Sequence, residues 1–230
     1  MLESVLDDGR LALLKSLTAL EALDRFYLAG GTALSLQLGL RVSVDFNFFT
    51  SRRFNADALC DALRARFPST RTIVLEPDTC DLLIKDVRVS FFRYPYPLVE
   101  ALVRGLGEFS NLCMANPVDI AAMKLSAIGS RGARKDFYDL YQIYHRVPGF
   151  DGDRLIAAVR AKFGRERDLT YMLMGLGCFD EAEREELAET FVPAGWDEIK
   201  RFFIAEQRRL FDKEEARARR AFNEAGMTGY

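Results

Sequence analysis

Leu28–Phe49 reads LAGGTALSLQLGLRVSVDFNFF, and its punctuation decides the fold. The apolar run Phe26-Tyr27-Leu28-Ala29 leads into Gly30 and Gly31, then Thr32 and a helical stretch through Leu38. A second strand-like run, Arg41 to Phe49, carries Asp45 and Asn47 at i and i+2. Alternate residues of a strand share a face, so Asp45 and Asn47 are predicted to point together while Val44, Phe46 and Phe48 pack the other way. Glycines let the backbone approach an anion closely, and the first N–H groups of the following helix stay open to it. Two oxygen side chains on one strand face suit Mg²⁺, which takes a few hard ligands plus phosphate oxygens.

Working outward, Leu11, Leu14, Leu17 and Leu20 or Glu21 recur at helical spacing and predict an amphipathic helix before the first strand. Asn55–Phe67 reads as a helix closed by Pro68, and Thr72–Glu76 as a strand. Cys80–Ile84 and Val87–Phe92 read as a hairpin joined by Lys85-Asp86. Tyr94-Pro95-Tyr96-Pro97 ends that strand, because proline cannot donate to the ladder. Asn116-Pro117 is a helix start, an N-cap residue followed by proline at the first helical position. Beyond it the pattern is almost wholly helical. Lys124 sits there among Ile120, Ala121, Met123, Leu125 and Ile128. A lysine there could snorkel to solvent. Gly129–Lys135 reads as a basic, flexible loop carrying Arg131 and Arg134, which could meet phosphates of an acceptor or simply stand in solvent. Asp136 and Asp139 follow at i and i+3 on one helix face.

Composition narrows the class. With 230 residues and 49% hydrophobic side chains, the chain can bury one large core or two small ones. A formal net charge of −2 gives no global nucleic-acid signature, so only local basic clusters could serve that purpose. Four cysteines without C-x-x-C spacing and one histidine, His145, argue against zinc and for reduced thiols. His145 ends a helix and is assigned no catalytic part; Trp196 is expected to anchor the last long helix. The acidic start Met1–Asp8 lacks the charged-then-apolar order of a signal peptide, and no apolar run approaches spanning length. The expectation is a soluble, cytoplasmic protein without membrane association.

Three ordered stretches resemble one family. They are LAGGTALSLQLGLRVSVDFNFF at Leu28–Phe49, VDIAAMKLSAIGSRGARKDFYDLYQI at Val118–Ile143, and FDEAE at Phe179–Glu183 with GWDEIKRFF at Gly195–Phe203. Together they resemble the AbiEii/AbiGii toxin family, nucleotidyltransferases of bacterial toxin–antitoxin and phage-defence pairs. The resemblance implies an α/β (α+β) fold with a DNA polymerase β-like core and mixed sheet at about 1–115. A helical region, 116–230, would complete an active-site cleft. It implies an NTP bound through Gly30, Gly31, Thr32, Arg41 and Lys124, with Mg²⁺ or Mn²⁺ on Asp45 and Asn47. Asp45, Lys124 and Asp136 are then the implied catalytic residues, and Arg131 and Arg134 the implied acceptor contacts. A tRNA 3′ end is the first acceptor to expect, and an antitoxin protein the expected partner. Two departures stand out: Asn47 replaces the usual second Asp of D-x-D, and Ser90 falls where many nucleotidyltransferases carry a third carboxylate. They leave open a degenerate alternative that binds nucleotide, RNA or an antitoxin without turnover.

Overall fold

The computed structural model describes residues 5–39, 44–105, 109–164, 168–185 and 195–227. The chain forms two compact units, one of residues 1–120 with 161–163, the other of residues 121–160 with 164–230.

The first unit opens with α1 (Asp8–Thr18), capped by the Asp7 carboxylate on the Arg10 N–H, and a short 3₁₀ turn at Glu21–Leu23. Its buried stripe is Leu13, Leu14 and Leu17, with Leu11 only half-buried. There follow β1 (Tyr27–Ala29), α2 (Gly30–Leu38), β2 (Phe46–Thr50) and α3 (Ala56–Arg66). Then come β3 (Arg71–Glu76), β4 (Thr79–Ile84), β5 (Val87–Arg93), β6 (Val103–Arg104) and β7 (Cys113–Met114). These strands make one sheet in the order β3-β4-β5-β2-β1-β7-β6. Pairs β2–β5 and β1–β7 are parallel and the others antiparallel, so the sheet is mixed as expected. The β4–β5 hairpin turns on Lys85 and Asp86, both with positive φ (48° and 62°), the geometry that matches strand twist. One sheet face is apolar core: Phe46, Phe48, Leu82, Val89 and Phe91 are buried, and Phe48 stacks on Phe91 at 5.2 Å. Val44 does not join them. It is 52% exposed, because β2 begins only at Phe46 and nothing pairs Val44 into the sheet.

The second unit is helical. α4 (Pro117–Arg131) enters it from residue 121, and α5 (Arg134–Arg146), α6 (Gly152–Phe163), α7 (Leu169–Gly175), α8 (Asp180–Glu183) and α9 (Trp196–Met227) follow. The stretch read as a flexible loop at 129–135 is mostly helix. α4 continues through Arg131, and only Gly132 (φ 59°) and Ala133 separate it from α5. Gly132 accepts the left-handed conformation and its N–H closes the last turn on Ile128. Phe137 packs among the rings of Phe179, Trp196 and Phe203, so Trp196 does anchor the start of α9.

Candidate functional site

In the first unit the site is built on the turn from β1 into α2. Register pairs Ala29 with Asn47, which brings the glycine turn alongside the first residues of β2. Gly30 has φ 72°, and a Cβ there would lie 3.9 Å from the Asn47 amide nitrogen. The Thr32 hydroxyl donates to the Asp45 backbone carbonyl, tying the start of α2 to the residue just before β2. Asp45 and Asn47 are both half-buried; Asn47 alternates with the buried Phe46 and Phe48 along β2, and Asp45 lies just before that strand. Arg41 lies outside the described residues.

The same row continues across the sheet. Asn47 pairs with Ser90 on β5, and Ser90 pairs with Asp81 on β4. Ser90 therefore stands beside Asn47. The next residue in that row is a carboxylate, Asp81, one strand further on and already engaged. Its Oδ1 accepts the Ser90 hydroxyl at 2.8 Å, and both of its oxygens accept from Arg88, at 2.5–3.1 Å. Asp81 and Arg88 drew no attention as sequence, because only the β4–β5 register brings them together. No three Asp, Glu, His or Cys side chains stand close enough to share one ion among the described residues. A Mg²⁺ ion needs fewer: one carboxylate, an amide oxygen and substrate phosphates suffice, and Asp45 with Asn47 fits that donor set.

The second unit gathers four charged side chains. Lys124 and Arg131, two turns apart on α4, face Asp136 and Asp139, one turn apart on α5. The Lys124 ammonium sits 2.8 Å from Asp136 Oδ1 and 2.6 Å from Asp139 Oδ2. Arg131 closes on Asp136 from outside, Nε at 2.8 Å and Nη2 at 3.0 Å. Asp136 and Asp139 are buried and Lys124 nearly so, which overturns the solvated alternative for these residues. Burial pulls the Lys124 ammonium down, but the Asp139 and Asp136 carboxylates outweigh it and its pKa rises. Burial likewise pushes the Asp136 carboxyl up; Lys124 and Arg131 overcome that and hold it down at about 2. Hydrogen bonding to Asp136 raises the Arg131 guanidinium further. Arg134 goes elsewhere: its guanidinium donates to the Glu185 carbonyl at 3.0 Å and lies over the Trp196 ring at 4.8 Å. His145 stacks on Tyr141 at 4.0 Å, a structural position.

Sequence reasoning also missed a buried ion pair in the first unit. Lys162 and Asp119, both fully buried, meet at 2.6 Å; Lys162 also donates to the Pro97 carbonyl at 2.8 Å. Asp119 accepts the N–H groups of Val99 and Glu100 at 2.9 and 3.0 Å. All its partners are internal, and it fixes the segment after β5.

The structure thus holds a glycine turn against a D-x-N strand in one unit and a buried lysine between two carboxylates in the other. An uncharacterized protein of Aquifex aeolicus is 37% identical over 194 residues, which is 83% of this chain and 90% of that protein. Among solved structures, MenT4, a nucleotidyltransferase toxin of Mycobacterium tuberculosis, superposes with a TM-score of 0.56 at 16% identity, covering 85% of this chain and 83% of that one. At that identity the likeness speaks for the fold, and it agrees with the mixed sheet and helical C-terminal region. Residues 12–225 match the family described as Nucleotidyl transferase AbiEii toxin, Type IV TA system, and to that family this chain belongs.

Proposed function

We propose that this chain transfers a nucleotide from an NTP to an acceptor hydroxyl, as the toxin of a toxin–antitoxin or phage-defence pair. The observation that carries the reading is Lys124, an ammonium buried between Asp136 and Asp139 with Arg131 on its outer side. Burying such a network seldom gains stability over an apolar core, so its presence points to chemistry. In this reading the triphosphate lies on the N–H groups of Gly30, Gly31 and Thr32. Asp45 and the Asn47 side-chain oxygen hold Mg²⁺ or Mn²⁺, which when bound supplies charge neutralisation at the phosphoryl oxygens. Asn47 gives an oxygen without charge, which weakens that hold. Lys124 presents a compact cation to the departing pyrophosphate. Asp136 orients Lys124 and Arg131; a carboxyl held at about 2, with both oxygens engaged, is a poor acceptor for a hydroxyl proton. The acceptor oxygen attacks the α-phosphorus in line as the bond to pyrophosphate breaks, its proton passing to solvent water, so catalysis is mainly positioning and charge stabilisation.

The acceptor we propose is RNA, a tRNA 3′ end first, met by Arg131, whose side chain is 57% exposed. Arg134 is a weaker choice, given its contacts with Glu185 and Trp196. An antitoxin protein is the proposed partner and the cytoplasm the proposed location. No helix among the described residues is long and apolar enough to cross a membrane.

The test is transfer of radiolabel from each α-labelled NTP to tRNA, by the full chain and by Asp45→Asn, Lys124→Met and the double variant. If both residues serve one reaction, each single change costs on the order of 100-fold and the double costs little more. Independent, multiplying losses would separate Asp45 from Lys124. Absence of transfer with every NTP, alongside measurable nucleotide binding, would favour the second reading of a binding protein without turnover, which Asn47 and Ser90 recommend.

A further inference from the structure

The row Ala29–Asn47–Ser90–Asp81 crosses the sheet beside the glycine turn, and its charge is arranged in layers. Positions 47 and 90 are an amide and a hydroxyl. The carboxylate in the row, Asp81, has only 3% of its side chain exposed. Arg88 lies over it with 54% of its side chain exposed, so the charge above Asp81 is a guanidinium, which the half-buried Asp45 carboxylate also attracts. Nε and Nη2 are held on Asp81, while Nη1 has no hydrogen-bond partner among the described residues. Two teeth of the fork are thus fixed and the third is available, a preorganised anion ligand.

Register puts it at the right end of the sheet. β5 runs parallel to β2, Phe46 opposite Val89 and Asn47 opposite Ser90, so Arg88 enters β5 where Asp45 enters β2. The glycine turn leaves β1 at that same end, Ala29 being paired with Asn47. Two strand spacings, roughly 10 Å, separate the β1 and β5 backbones there, a gap that a long side chain and a chain of phosphates bridge together.

We propose that Arg88 is a phosphate ligand of the nucleotide site, presented by Asp81 and Ser90, and that it neutralises triphosphate charge which the uncharged residues at 47 and 90 leave to the protein. The proposal rests on the nucleotide-binding reading above and names a residue that reading did not include. A guanidinium contact needs no metal, so its contribution remains when divalent ions are removed.

The experiment is calorimetric titration of sodium tripolyphosphate and of ATP into the full chain, in EDTA and then in Mg²⁺. The proteins are wild type, Arg88→Gln, Arg88→Lys and the double variant Arg88→Gln with Asp81→Asn, which leaves no buried carboxylate unpaired. Expected are losses of about tenfold or more for both probes in EDTA with Arg88→Gln and with the double variant, and a smaller loss with Arg88→Lys. Binding by the double variant within twofold of wild type would overturn the inference while leaving the nucleotide site standing. A loss seen with ATP and not with tripolyphosphate would overturn it as well, since the contact would then be to base or ribose. No binding of either probe by wild type, with or without Mg²⁺, would overturn both this inference and the reading beneath it.

Discussion

Removing the Lys124 ammonium would leave Asp136 and Asp139 facing each other in a place neither shares with water. Lys124→Met is therefore expected to destabilise the second unit by about 3–5 kcal/mol, read from urea unfolding, before any loss of chemistry is counted. Asp136 adds a pH dependence whose sign follows from its position. Its folded-state value, about 2, lies below the ordinary 3.8, so its contribution is present above about pH 4 and is lost as the pH falls toward 2. Asp136→Asn should flatten that part of the acid-unfolding curve; an unchanged curve would mean that other carboxylates set the acid limit. At Asn47 the change runs the other way. Asn47→Asp restores a charged pair on one strand face, and a tenfold gain in transfer would correspond to roughly 1.4 kcal/mol of barrier. Helix spacing, which is local, put Asp136 and Asp139 on one face, and the family resemblance singled them out together with Lys124. Whether they faced water could not be read, since that depends on what α4 and α5 meet. Asp81, Arg88, Asp119 and Lys162 gave no local signal at all: their partners come from strand register or from residues far along the chain.

Among the elements, α4 shows how a local rule can mislead. Gly129, Ser130 and Gly132 read as a flexible loop because glycine interrupts helices. In the fold, Gly129 is the contact point between two helices: a Cβ built on Gly175 of α7 would lie 2.8 Å from the Gly129 Cα, and one on Gly129 would lie 3.0 Å from the Met172 Cα. Missing side chains there let the helices touch backbone to backbone, and α4 runs on to place Arg131 over Asp136. Gly175→Val is expected to cost about 1–3 kcal/mol by overpacking, measured as a fall in the unfolding midpoint. No fall would mean that α7 can move away freely. The hairpin, α3 with its Asn55 cap and the start of α4 at Pro117 were all readable, since capping and turn chemistry are written in adjacent residues. β6 and β7 were not, because two residues carry no periodicity.

For the whole molecule, a net charge of −2 means that any RNA must be gripped by particular arginines instead of a general field. Its division into units also disregards simple order along the chain. Ala161–Phe163 belong with residues 1–120, and Lys162 is the counter-ion of Asp119 inside that first unit. A fragment ending at Ile120 would strand a buried carboxylate, and it is expected to lose the cooperative urea transition that the full chain shows. A fragment with an equally steep transition would show that Asp119 finds another partner. The same ion pair bears on how the protein is born. A ribosome delivers residues in order, so the sheet, the glycine turn and the Asp45 strand all emerge long before the lysine that lets the surrounding core close. The unit that carries the sheet and the glycine turn is therefore expected to stay unfinished until α6 has left the exit tunnel, and under the proposed function synthesis itself would delay the moment at which the chain first acts.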